Sequence, residues 1–198
     1  MYSKVSQAVM LRCEAYIDMD QIFETDVTEA KVKLNQCIAC CESWKQVYEE
    51  REIAHRKGNP TANWGVNTDS VFADVDAFIH RCKDLLDVCT CLAQFCFKDG
   101  TIEAKPPAVR GTHFKLLQRG IEQVTINFKD VLVTPRREAG SHILFNSMWK
   151  DAYYKFRKST EKLDLTIQGI IATAFKNVSR MPVGLELIEV FEPFNTRD

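Results

Sequence analysis

One stretch of the chain carries apolar residues at alternating intervals of three and four. The six residues are Phe114, Leu117, Ile121, Val124, Phe128 and Val131. Because an α-helix has about 3.6 residues per turn, this spacing places all six side chains along one side of a helix. It is the pattern of a helix that packs lengthwise against other helices. No strand-like alternation of any length is found in the sequence, so the chain is predicted to be all-α.

Three other long segments show the same period. From Trp64 to Cys96 the central positions are Val75, Phe78, Cys82, Leu85, Cys89, Leu92 and Cys96, and the stripe is broadened by Phe72, Ile79, Leu86 and Ala93. Thr68 or Asn67 can cap this helix. A helix from about Thr28 to His55 is marked by Leu34, Ile38, Cys41, Trp44 or Lys45, and Tyr48. One from about His142 to Val178 is marked by Trp149, Ala152, Phe156, Leu163, Ile167, Ile170 and Ala174.

Glycine and proline interrupt the helical pattern at three places. The interruptions read "RKGNPTANWG", "KDGTIEAKPPAVRG" and "TPRREAGSH", and each is expected to end a helix and let the chain reverse. Short links between long helices favour antiparallel neighbours. We therefore predict an elongated antiparallel helical bundle of about four long helices, with shorter helices at both termini.

The same pattern suggests a domain organisation. Residues 1–25 are expected to form a weakly defined N-terminal helix, marked by Val5, Val9, Arg12 and Tyr16, and residues 26–180 the bundle. Residues 181–198 are expected to be the truncated start of a following helical segment.

Composition excludes several classes of partner. The chain has 26 basic and 27 acidic side chains and a formal charge of −1, so the total charge favours neither nucleic acid nor an anionic membrane surface. No apolar stretch reaches the roughly 20 residues that span a bilayer. No secretory signal is evident at the N-terminus, so we expect a reducing compartment in which the eight cysteines are thiols.

The cysteines suggest an alternative class of function. "CIACC" at 37–41 and "CTC" at 89–91 contain closely spaced thiols that could serve a helical thiol or metal-binding protein, with Cys37, Cys40, Cys41, Cys89 and Cys91 as ligands. Zinc ribbons, however, hold their cysteine pairs on tight turns. Here Cys41, Cys82, Cys89 and Cys96 fall on the apolar stripes, where a thiol acts as a small hydrophobic group. We therefore predict no metal site and no cofactor.

No pattern of catalytic residues is present. The four histidines lie mostly near predicted helix ends, without a carboxylate at the spacing of a metalloprotease helix, and His80 is placed on the solvent side of its helix. The sequence has no nucleophile elbow and no phosphate-binding loop. The segment is therefore predicted not to be an enzyme.

Six residues are candidates for partner contact. The tryptophan is Trp64, in a predicted loop, where it either closes the end of the bundle or anchors a partner. The basic residues are Arg136 and Arg137, in the predicted loop before the last long helix, and Lys155, Arg157 and Lys158 within that helix. They either attract an acidic partner or form a solvated face balanced by Asp151 and Glu161.

The order of these segments resembles the N-terminal tail, or stem, of a dynein heavy chain. The resemblance covers about residues 27–198. It is carried by "LNQCIACCESWKQVYEE", "WGVNTDSVFADVDAFIHRCKDLLDVC", "FKLLQRGIEQVTINFKDVL", "MWKDAYYKFRKSTEKLDLTIQGIIATAFKNV" and "GLELIEVFEPFNTRD". The phrase "CIACCESWK" is more similar to axonemal outer-arm chains than to cytoplasmic ones.

This resemblance implies a non-enzymatic scaffold within a larger motor. A dynein tail binds intermediate and light chains, packs against a second heavy chain or a docking factor, and attaches the motor to its cargo. In cilia that cargo is the doublet microtubule, so the resemblance implies a cytoskeletal location in the axoneme. It carries no catalytic residue into this segment. A coiled-coil adaptor of another family is a further alternative.

Overall fold

The computed structural model describes residues 2–19, 21–58, 67–95, 115–140, 146–176 and 178–191. Over these ranges the chain forms six helices and no strand. They are α1 (Tyr2–Ile17), α2 (Val27–Gly58), α3 (Thr68–Phe95), α4 (Lys115–Ala139), α5 (Asn146–Lys176) and α6 (Met181–Phe191). The all-α prediction is confirmed. At about 1.5 Å per residue the longest helix, α2 with 32 residues, measures roughly 48 Å.

Side-chain caps fix where two of the long helices begin. Asp26 Oδ1 accepts hydrogen bonds from the backbone N–H groups of Thr28 (2.9 Å) and Glu29 (3.1 Å) at the start of α2. Asn67 Oδ1 accepts from Asp69 (3.0 Å) and Ser70 (3.4 Å) at the start of α3. Such caps satisfy N–H groups that have no partner within the helix. Of the two caps proposed from sequence for α3, Asn67 is the one the structure uses.

The first three helices form one packed group. The rings of Tyr2 and Tyr48 lie 5.0 Å apart, and the indole N–H of Trp44 donates to Ser6 Oγ (3.0 Å), so α1 and α2 run in opposite directions. Tyr48 packs on Phe72 with ring centroids 5.1 Å apart, and Lys45 pairs with Asp76, so α2 and α3 are also antiparallel.

Helix α3 lies at the centre of the fold, and the other helices cover most of its surface. The predicted stripe is confirmed at its buried positions, which are Phe72, Val75, Phe78, Ile79, Cys82, Leu85, Cys89 and Leu92, whereas Leu86 and Ala93 are half-buried. Residues outside that stripe are buried too, namely Val71, Arg81, Val88, Cys91, Gln94 and Phe95. Helices α1 and α2 cover one side of α3, and α4 and α5 pack against another side.

Helices α4 and α5 form an antiparallel pair with a continuous apolar interface. Phe128 of α4 contacts Phe156 of α5, and Gly120 of α4 lies beside Ile170. The approach at Gly120 is close, because a Cβ atom there would lie 3.1 Å from Ile170 Cδ1. Helix α6 closes one end through a second cluster formed by Leu117, Ile121, Ala174, Leu187 and Phe191.

The inner face predicted for α1 was wrong except at Val9, which is half-buried against the core. Its buried residues are Ser6, Met10, Cys13 and Ile17. Tyr16, by contrast, is 52% exposed and Val5 is 37% exposed. Burial of Ser6 is possible because its hydroxyl accepts the Trp44 N–H, whereas the Tyr16 hydroxyl donates to Gln36 at the surface (2.7 Å). These polar contacts rotate the helix away from the face that apolar spacing favoured.

The helix break expected at Thr134–His142 was also wrong over its first half. Helix α4 continues through Pro135 to Ala139. Proline removes one backbone donor and crowds the preceding turn. Here it lies near the helix end, and both Pro135 and Ala139 are buried, which offsets that cost. Arg136 and Arg137 therefore belong to the last turn of α4 and not to a loop, and cations are favoured at that end of a helix.

Candidate functional site

The six residues proposed for partner contact have different surroundings. Trp64 lies outside the described residues. Arg136 forms an ion pair with Glu24 in the turn between α1 and α2, and Arg137 Nε pairs with Glu138 at 2.9 Å. These two arginines thus make contacts within the chain, although each keeps a solvent-exposed portion.

Arg157 differs from its neighbouring lysines. Its Nη1 atom donates to both carboxylate oxygens of Asp87 in α3, at 3.1 and 3.0 Å. The expectation that Asp151 and Glu161 balance this charge was wrong for Arg157, because the helix turns it inward towards α3. Burial acts to lower the pKa of Arg157, but the charge and hydrogen bond of Asp87, together with Tyr153 and Cys91, outweigh burial and the pKa is raised. Arg157 therefore joins two helices.

Lys155 and Lys158 are exposed on the side of α5 that faces solvent. Tyr154 and Leu165 share that side and are 66% and 68% exposed, although both are large. At 100° per residue, Tyr154, Lys158 and Leu165 lie opposite the buried Phe156 and Leu163. We define the α5 outer face as Lys150, Tyr154, Lys155, Lys158, Lys162 and Leu165. It combines two large apolar groups with four lysines, and the exposed acidic residues Asp151 and Glu161 lie beside them.

A polar seam joins α3 to α5 beneath this face. It consists of Arg81, Asp84 and Asp87 on α3 and Trp149, Tyr153 and Arg157 on α5. The indole N–H of Trp149 donates to Asp84 Oδ2 (2.9 Å), and the hydroxyl of Tyr153 donates to Asp87 Oδ2 (3.1 Å). The Arg81 guanidinium lies 5.8 Å from the centre of the Trp149 ring, within the range of a cation–π contact.

The seam was missed from the sequence. Its members recur every three residues on α3 and every four on α5, which places each set on one helix face. That spacing was the available signal. It was hidden because Arg81, Asp84 and Asp87 alternate with the apolar positions of the predicted stripe, and charged residues at such positions are usually assigned to solvent.

Burial within the seam perturbs ionisation. The pKa of Asp84 is raised, first by burial and secondarily by Asp87, while the Trp149 hydrogen bond acts in the opposite direction. The pKa of the Tyr153 hydroxyl is raised by burial and by the nearby Asp87. Tyr153 is therefore a neutral donor at physiological pH.

The shift of Asp84 makes stability depend on pH. A carboxyl whose folded pKa is raised favours folding at low pH, and that contribution is lost as the pH rises from its ordinary value through the folded pKa. Asp84→Asn removes this titration and keeps an acceptor for Trp149. We expect the variant to become more stable relative to the parent chain as the pH rises from about 4 to about 7. Urea unfolding across that range measures the difference, and a difference that is constant with pH would contradict the assignment.

The cysteines follow the packing prediction where they can be checked. Cys41, Cys82 and Cys89 are buried, as predicted, and Cys37, Cys91 and Cys13 are buried with them, whereas Cys40 is exposed. Cys96 lies outside the described residues. No disulfide links the seven described cysteines, and no group of three or more His, Cys, Asp or Glu in the described ranges is arranged to hold a metal.

Two further expectations concern the exposure of His80 and membrane-spanning helices. His80 is exposed, as predicted, and its Nδ1 lies 2.6 Å from the backbone oxygen of Asp76. None of the helices described here combines the length and the hydropathy needed to cross a membrane.

Comparison with known proteins covers the whole chain. The family model for the dynein heavy chain, N-terminal region 1, matches residues 1–198. The dynein-1-beta heavy chain of the flagellar inner arm I1 complex from Chlamydomonas reinhardtii is 27% identical over 197 residues, which are 98% of this chain and 4% of that protein. The dynein beta chain of the flagellar outer arm from the same organism is 22% identical over 196 residues, 96% of this chain and 4% of that protein. The chain thus spans a small part of the length of these relatives.

Proposed function

The chain belongs to the family of dynein heavy chain N-terminal regions, and on this premise we propose that it is a docking module in the tail of an axonemal dynein. The N-terminal tail has a structural role in the heavy chain and is distinct from the ATPase motor. Membership of this family replaces the unrelated coiled-coil adaptor that the sequence left open. The match of the family model over the full length of the chain is the observation that carries the proposal.

The proposed partners are other dynein subunits. They are intermediate chains, light chains, and a second heavy chain or a docking factor, and the proposed location is the ciliary axoneme. The names of the two relatives support an axonemal arm, because both are flagellar dynein chains. One is an inner-arm chain and the other an outer-arm chain, so the outer-arm subtype expected from sequence stays a prediction.

The α5 outer face is the surface we propose for docking. Aromatic and aliphatic side chains that stay exposed next to charged groups are typical of interfaces, where the apolar group is covered and the charges set orientation. Tyr154 and Leu165 supply the apolar part. Lys155 and Lys158 supply positive charge, which favours a partner with acidic residues at the rim of its binding surface. Arg157 is left out of this surface because its guanidinium is paired with Asp87 of α3.

An affinity experiment on axonemal extract tests both parts of the proposal. The purified chain is immobilised, incubated with a detergent extract of axonemes, cross-linked through lysines and analysed by mass spectrometry. We expect recovery of a dynein intermediate chain, light chain or heavy chain with cross-links at Lys155 or Lys158. If the folded chain recovers no dynein subunit, the docking function is wrong.

Charge reversal on α5 tests the proposed docking surface separately from the docking function itself. Lys155→Glu with Lys158→Glu should reduce recovery of the bound subunit by roughly tenfold, equivalent to about 1.4 kcal/mol, because the negative charge introduced at each position would repel an acidic partner. The matched control is Lys4→Glu with Arg12→Glu, two exposed basic residues of α1. Equal losses from both pairs would assign the effect to overall charge. Full recovery with the α5 pair would place docking elsewhere on the chain.

A further inference from the structure

Five cysteines from three helices converge where α1, α2 and α3 meet. They are Cys13 of α1, Cys37, Cys40 and Cys41 of α2, and Cys82 of α3. Two side-chain hydrogen bonds set the register of α1 against α2 on either side of them, from Trp44 to Ser6 and from Tyr16 to Gln36. This register brings Cys13 opposite the segment from Cys37 to Cys41.

The five thiols differ in access to solvent. Cys40 is exposed, and the other four are buried. The relative exposure of Cys13 is 5% and that of Cys37 is 2%. An oxidant in solution therefore reaches the cluster through Cys40, because oxidation of a thiol requires access as well as the thiolate form.

Cys13 is the thiol best placed to react with Cys40. The register of α1 against α2 sets Cys13 opposite Cys37, Cys40 and Cys41, and of these three Cys40 is the exposed one. Cys41 is adjacent to Cys40 in the same helix, where neighbouring side chains do not face each other. Cys37 is further occupied, since its Sγ donates to the backbone oxygen of Cys13 at 3.6 Å. The pair is thus formed by one exposed and one buried cysteine on neighbouring helices.

The buried members of the cluster are protected from direct oxidation. Burial raises the pKa of Cys37 to about 12 and raises the pKa values of Cys13, Cys41 and Cys82. They are therefore thiols at physiological pH, and thiols react slowly with peroxides. The reaction must begin at the solvent-exposed residue.

We propose that Cys40 and Cys13 form a peroxide-responsive pair that closes into a disulfide between α2 and α1. In the first step the Cys40 thiolate attacks a hydroperoxide. An S–O bond forms, the O–O bond breaks, and the released alkoxide or hydroxide takes a proton to give an alcohol or water. In the second step the sulfur of Cys13 attacks the sulfenic acid of Cys40, the S–O bond breaks, and hydroxide leaves as water with the proton of Cys13. Two thiols lose two electrons in total, and the peroxide is reduced by two.

The disulfide would change how α1 is held. In the reduced chain α1 is joined to α2 by side-chain packing and by the turn that follows Ile17, whereas the oxidised chain would hold α1 to the middle of α2 by a covalent bond. Disulfides in reducing compartments are usually transient and redox-sensing. The class of signal that this pair fits is a rise in peroxide, followed by reduction by a thiol reductant.

Peptide mapping after peroxide treatment tests the proposal. The reduced 198-residue chain is exposed to hydrogen peroxide, blocked with N-ethylmaleimide and digested without reduction. We expect a Cys13–Cys40 cross-linked peptide as the main product, with the titratable thiols under denaturing conditions falling from eight to six, and recovery of all eight with dithiothreitol. A Cys37–Cys40 product, or a chain whose thiols do not change, would overturn the assignment.

Variants test the order of the steps. Cys40→Ser, at an exposed position, should lower disulfide formation at Cys13 at least tenfold with an unchanged circular dichroism spectrum. Cys13→Ala should leave Cys40 as a sulfenic acid that dimedone labels. Cys89→Ala, a buried cysteine of α3 outside the cluster, is the matched control and should give the disulfide of the parent chain. Equal oxidation of Cys13 in the parent chain and in Cys40→Ser would show that Cys40 is not the entry point and would refute the mechanism.

Discussion

Replacing Phe128 with alanine should destabilise the chain by about 3–5 kcal/mol. Phe128 is fully buried where the end of α3 meets α4 and α5. Its ring stacks on Phe95 with centroids 4.9 Å apart and contacts the edge of Phe156 at 6.2 Å. Truncation removes both ring contacts and leaves a cavity that neighbouring helices fill only in part. Urea unfolding followed by circular dichroism measures the loss, and the melting temperature should fall on the order of 10 °C.

A substitution on the other side of the same helix is the control. Ile126 is 53% exposed, and Ile126→Ala should change the free energy of unfolding by less than about 0.5 kcal/mol. Similar losses from the two substitutions would mean that the helix propensity of α4, and not the cluster around Phe128, determines stability. A loss below about 1 kcal/mol for Phe128→Ala would contradict the packing described here.

The apolar stripes were predicted best in α3 and α5. Most of the positions chosen there are buried because large apolar side chains gain most by leaving water, and the polar seam between the two helices lies beside those positions without displacing them. Apolar spacing failed to predict the buried face of α1, where the polar Ser6 is buried and its hydroxyl accepts a hydrogen bond from Trp44. Spacing within one helix carries no information about a donor that a second helix supplies.

Local rules also underestimated tertiary packing at Pro135. Proline was taken as a helix break, but α4 continues for four residues beyond it. Burial of Pro135 and Ala139 against the rest of the fold stabilises that last turn. A preference of a single residue is outweighed where neighbouring helices cover the turn.

The α5 outer face was only partly predictable from the sequence, because it too depends on how the helices meet. Lys155, Arg157 and Lys158 lie within four residues of one another, and the sequence treated them as one basic cluster. The helical rotation separates them, because position 157 turns towards α3 and positions 155 and 158 turn towards solvent. The acidic residue that pairs with Arg157 is Asp87, 70 positions away, and such a pairing depends on how the helices meet.

Trp149 should be the residue whose loss most weakens the contact between α3 and α5. Its indole is buried, stacks on Tyr153 at 6.2 Å, lies over Arg81 and donates to Asp84. Trp149→Ala removes the buried ring and all three contacts, and it should cost about 3–5 kcal/mol. Trp149→Phe keeps most of the buried ring and removes the N–H donor, so it should cost about 1–3 kcal/mol. Urea unfolding of the two variants separates the packing contribution from the hydrogen bond.

The position of Trp149 predicts which helices lose hydrogen-exchange protection when this residue is replaced. Helices α4 and α5 pack on the first three helices mainly through α3, and the polar seam lies in that contact. Hydrogen exchange of Trp149→Ala should therefore show a larger loss of protection in α4 and α5 than in α2, because local opening follows the weakened interface. Met148→Ala, the neighbouring exposed position, is the control and should leave the exchange pattern unchanged. An equal loss in α2 and α5 would mean that the six helices open as one unit, and the seam would then not be the boundary between two separately opening parts.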